Sequence, residues 1–200
     1  VGIHLKPKVN CTYTDLNEPF ITLLAQFSAP EAVISGIVWA YTDSLRWRAS
    51  KMELTSPVVT LVQNKDRPLK PGVRPMPQAW IEAVPFLFIV DTIHASDAAL
   101  NYTFTPDNAA IQGRVAIDKW ELFWLGYGNN SSRARTFSVR TKMRWMQSVW
   151  MTGEAIMSYD DPNYGFVVNG NFSEGDFSRF NPVIEASEGF KFLSGHCTGL

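Results

Sequence analysis

From Phe137 to Met146 the chain runs FSVRTKMRWM, and these ten residues constrain the fold more than any others. Phe137, Val139, Met143 and Trp145 take one set of alternate positions, while Ser138, Arg140, Lys142 and Arg144 take the other. An extended strand turns successive side chains to opposite faces, so this segment has one apolar face and one cationic face. Arg133 and Arg135 lie just upstream, and no acid interrupts the five basic residues. The whole chain has a formal net charge of −1, so the charge is local. Arg133, Arg135, Arg140, Lys142 and Arg144 are thus candidates for contact with a polyanion or an acidic neighbour. The plainer alternative is a solvated face balanced by nearby acids.

The rest of the chain leans the same way. Aromatic residues make up 13% of its 200 residues and charged ones only 18%, with twelve prolines and thirteen glycines. That balance favours strands joined by turns. The length suits one domain, large enough to bury roughly 70% of its unfolded surface without staples. No apolar run approaches the roughly 20 residues of a membrane-spanning helix. The longest, Val84 to Val90, contains Pro85 and is expected to be a buried strand. Val1 in place of an initiator Met, with no leader-like segment after it, leads to the expectation of an N-terminus made by cleavage. Cys11 and Cys197 are too few for a disulfide framework and are expected to be free thiols. Sequons begin at Asn10, Asn101, Asn129, Asn130 and Asn171; in an Asn/Ser/Thr-rich chain they are read as chance.

Residues 1–18 have the look of an irregular arm, and 19–200 of the folded domain. Phe20–Gln26 is a plausible first strand. Ser28 as an N-cap, with Pro30 and Glu31 in the first turn, predicts a short helix over Ala32–Tyr41. Extended structure is expected over Leu45–Leu61 with a kink at Pro57, and a Pro-rich exposed loop over Gln63–Pro77. Further strands are expected at Trp80–Thr92, Asn101–Thr105, Gly113–Tyr127, Thr136–Met151, Ala155–Tyr159, Gly165–Val168 and Val183–Leu193, between turn clusters. About eight antiparallel strands with one short helix point to an all-β fold, a single jelly-roll β-sandwich.

No catalytic centre emerges from the motifs. His4, His94 and His196 form no H-E-x-x-H or H-x-H pattern, and no cysteine pair has zinc spacing. A metal site from His4, Cys11, His196 and Cys197 requires both termini to converge. Asp160-Asp161-Pro162-Asn163 has the oxygen ligands for a hard cation but is more simply a turn. There is no G-x-S-x-G, and nothing local pairs Cys197 with His94. Gly126-Tyr-Gly128 lacks the rest of a dinucleotide loop, and Glu185 and Glu188 suit a solvated strand edge better than an acid–base pair. The seven tryptophans are best read as core and interface anchors. The expectation is therefore no enzyme, no cofactor and no metal.

Ile21-Thr-Leu-Leu24, Ser28-Ala-Pro30, Ile34-Ser-Gly-Ile-Val-Trp-Ala40 and Leu45-Arg-Trp-Arg-Ala-Ser-Lys-Met52 form a progression that resembles part of the small coat proteins of comoviruses and fabaviruses. Ala40 to Arg48 is similar to a helix-to-strand passage in picorna-like capsid domains more widely, and Glu188 to Gly195 is similar to their last strand. The likeness covers about a quarter of the chain, and its patterns are loose. It implies a jelly-roll subunit released from a polyprotein. Such a subunit packs with a larger coat protein and with copies of itself into an icosahedral shell around single-stranded RNA. The expected location is the virion, and the host cytoplasm during assembly. The competing expectation is a secreted, glycosylated β-sandwich that binds carbohydrate or protein, with Cys11 and Cys197 joined.

Overall fold

The computed structural model describes residues 3–4, 23–41, 44–65, 81–106, 111–129, 136–159, 161 and 165–197. Most of these belong to one large mixed sheet. The first ribbon is β2 (Leu23–Ser28), β3 (Glu31–Ser35) and β4 (Val38–Tyr41), with β1 (Ile3–His4) paired to β3. It runs antiparallel to β5 (Leu45–Thr55) and β6 (Val58–Asn64). Then comes β7 (Leu87–Thr105), parallel to both β5 and β6. β8 (Gly113–Gly128), β9 (Thr136–Trp145), β10 (Val149–Ser158) and β11 (Phe166–Phe172) follow as an antiparallel meander. A small second ladder joins β12 (Gly175–Asp176) to β13 (His196–Cys197). Between these two strands lie a 3-10 turn, Phe177–Phe180, and the helix α1, Asn181–Glu188.

The mostly β class with one short helix holds, but the helix lies elsewhere. Residues 32–41, expected to be helical, form β3 and β4. Val33, Ile34, Ile37 and Val38 are β-branched, which disfavours a helix and favours a strand. Ala32 and Ile34 are buried in β3 while Glu31 is exposed. Gly36 separates the two strands at φ +62°, where Ser50 leaves no room for a Cβ. The helix instead occupies Asn181–Glu188, where a strand was expected. Pro182 in its first turn and Gly189 as a left-handed cap are the usual start and stop signals, and they outweigh the apolar residues after them.

Other boundaries shift in ways that chain length explains. Ser56 at φ +47° and a buried Pro57 part β5 from β6, as the expected kink requires. The strands expected at 80–92 and 101–105 are one long β7, starting only at Leu87. The strand expected over 136–151 is a hairpin, turned by Met146 and Gln147 at φ +48° and +56°. The sheet is not wholly antiparallel, because residues 65–86 are long enough to cross back before β7 begins. Most of the Pro-rich loop and of the arm lies outside the described residues.

Buried residues are spread along β3, β5, β7 and β9, and the adjacent Ile89 and Val90 are both buried on β7. Ala49 and Val90 are fully buried, and Phe137 is 2% exposed. Trp124 and Phe137 stack at 5.7 Å, and Tyr159 meets Phe137 at 4.8 Å. Burial pushes the Tyr159 phenol up to about 12, and its oxygen accepts the Gly128 N–H. Ile81, in a helical segment just before β7, is 3% exposed, and α1 covers part of β8.

Candidate functional site

The alternation in β9 is realised: Phe137 and Met143 are buried while Arg140 and Lys142 are exposed. The cationic face does not stand alone, however. Strand register sets Asp118 of β8 opposite Arg144, Glu121 of β8 opposite Lys142, and Glu154 of β10 opposite Arg140. Arg144 donates from Nε and Nη2 to the two Asp118 oxygens at 2.8 and 2.7 Å. Those hydrogen bonds hold the Asp118 carboxyl below its ordinary range. Arg140 Nε donates to Glu154 at 2.8 Å. Lys142 lies 5.2 Å from the Trp150 ring centre, and the Arg144 guanidinium lies 5.9 Å from it. On β7, His94 is 3.0 Å from Glu121 and stacks on Phe123 at 4.2 Å.

Three cations and three carboxylates thus share a band across β8, β9 and β10. Each exposed pair contributes little to stability. Together they favour one register, because a one-residue slip would separate every pair. The acids were missed from sequence because they lie 14 to 26 residues away in the chain. Arg133 and Arg135 fall outside the described residues.

His196 lies opposite Asp176 in the small ladder and reaches Glu174 at 3.5 Å. The side chains of His4, Cys11 and Cys197 lie outside the described residues. Among the described residues no group of three His, Cys, Asp or Glu side chains is placed to hold a metal. Asp161 accepts the Gly165 N–H at 3.0 Å, as a turn aspartate does. Glu185 and Glu188 lie on α1 rather than on a strand. Among the sequons, Asn129 is committed: its amide donates to the carbonyls of Val84 and Phe86, and its oxygen accepts the Phe88 N–H. Asn101 is half-buried in β7, whereas Asn171 is exposed on β11.

The surface that sequence reasoning missed is at the sheet's two ends. Every residue of β11, FVVNGNF, is exposed, and none is charged. Phe166, Val168 and Phe172 lie opposite Met157, Ala155 and Met151, so they extend the apolar face of β10. All four residues of β4, VWAY, are also exposed, with Trp39 at 71% and Tyr41 at 74%. The available signal was a run of apolar residues with no charged residue guarding it.

No family model, no curated protein and no solved structure matches this chain.

Proposed function

We propose that this chain is a structural subunit of a coat-protein kind, which packs with a larger partner and with its own copies into a closed icosahedral shell around single-stranded RNA. The observation that carries this reading is the pair of uncovered apolar strands, β4 and β11, at opposite ends of one sheet. A subunit with neighbours on two sides requires two such surfaces. Exposed edges of this kind are otherwise a hazard that soluble monomers suppress with charge. Symmetry multiplies each contact, so modest interfaces suffice for a stable shell.

The same reading takes the large sheet to fold over as a jelly-roll sandwich. Its support is the loss of register at Asp97 and Lys119, where β7 and β8 have positive φ, since bulges bend and twist long strands. For RNA contact, this reading favours Lys142 together with Arg133 and Arg135. Arg140 and Arg144 already hold carboxylates.

The test is electron microscopy of native source material with its protein bands resolved on a gel. Uniform isometric particles containing this chain and a larger partner in equal amounts are expected. Soluble monomers bearing glycan mass would sink the proposal and favour the secreted binding module, with Asn171 the first attachment point to examine.

A further inference from the structure

A cleft of about 480 Å3 opens between the start of β8, the β9–β10 turn and the 3-10 turn that leads into α1. Arg114 lines it from β8 and Arg179 from the 3-10 turn, and both side chains are exposed. Arg48, Arg140 and Arg144 each have a carboxylate partner within 2.8 Å. Neither Arg114 nor Arg179 has an ion pair among the described residues. No described carboxylate lines the cleft. Asp176 lies beside it and its charge acts on Arg179 without an ion-pair contact, while its two oxygens accept the Ser178 N–H and hydroxyl, each at 2.8 Å.

The remaining surface is of mixed character. Met146 and Pro182 supply apolar area, and Gln147, held at φ +56° in the hairpin turn, supplies a free amide. The Asn181 amide is already bonded to the backbone of Phe192. Two guanidiniums with no ion-pair contact among the described residues suit a ligand with more than one negative charge, and their forked donors match phosphate oxygens. The volume lies in the range of small-molecule sites and exceeds what a bare phosphate would fill.

We propose that this cleft binds a phosphate-bearing ligand of mononucleotide size, with its phosphate on Arg114 and Arg179 and its ring or sugar over Met146 and Pro182. The ligand is a free nucleotide or one nucleotide of a single strand. This assignment does not rest on shell formation and can hold in an isolated chain.

Isothermal titration of the purified full chain with uridine monophosphate, a short oligouridylate and inorganic phosphate tests it. Saturable one-to-one binding of a nucleotide ligand is expected, weaker at higher salt. The Arg114→Gln/Arg179→Gln double variant, checked for folding by circular dichroism alongside each single variant, is expected to bind at least about tenfold more weakly. Lys51→Gln, on β5 and paired with Glu53, is expected to bind as the parent does. A tighter complex with the oligonucleotide identifies the strand as the source, and equal or better binding of the monomer identifies the free nucleotide. No saturable binding at millimolar ligand, or unchanged affinity in the double variant, would overturn the site. Inorganic phosphate binding as tightly as the nucleotide would overturn the role of Met146 and Pro182.

Discussion

At the scale of single residues, short polar side chains fasten backbone that the sheet leaves unpaired. Asn129, just past β8, satisfies three backbone groups of the segment leading into β7, at 2.7 to 3.1 Å. Asn181 does the same for Phe192 from the start of α1. Buried backbone groups left without partners cost about 1–3 kcal/mol. Asn129→Ala is therefore expected to lower unfolding free energy by about 1–3 kcal/mol, measured by urea denaturation. Asp118 acts through charge instead. Arg144 holds its folded-state pKa below the unfolded value, so its contribution is present above the ordinary carboxylate range and is lost as pH falls through the depressed value. Asp118→Asn should be less stable than the parent at neutral pH, and the two stability curves should converge in acid. A gap that stays constant down to low pH would show that the pair contributes through packing rather than charge.

At the scale of elements, the pattern of each strand records what covers it. β9 alternates buried with polar positions because β8 and β10 flank it and a core lies beneath it. Among the described residues β11 has a partner on one side only, and Phe166, Val168 and Phe172 are exposed although their counterparts on β10 are half-buried. Covering one Phe or Val side chain contributes about 1.5–3 kcal/mol, so an association that covers Phe166, Val168 and Phe172 has a real driving force. Phe166→Lys with Val168→Lys changes residues that are 58% and 60% exposed, so the fold should survive. Light scattering of the double variant should report a smaller mean mass than the parent at equal concentration. An unchanged mass would remove β11 from the assembly surfaces. β4 then becomes the edge to alter, at Trp39 and Tyr41.

At the scale of the whole molecule, local pattern and long-range pairing divide the explanation. The period-2 alternation of β9 and the kink at Pro57 were legible because each depends on residues next to one another. The helix was misplaced for the same reason. Ser28, Pro30 and Glu31 resemble a helix start locally, yet pairing of β3 with β5 and β1 decided the outcome. The basic face was legible as a cluster of cations, and balance by nearby acids was one of its two readings, but which acids was not. Asp118, Glu121 and Glu154 become its partners only once β8 and β10 align with β9. The cleft holding Arg114 and Arg179 joins residues 65 positions apart, and no spacing rule relates them. The sequence by itself determined the β class and the faces of β9, since backbone geometry and side-chain alternation act between neighbours. Tertiary structure decided the parallel pairing of β7, the partners of each charge and the apolar edges left open. Those depend on which distant strands meet, and local propensity is silent on that.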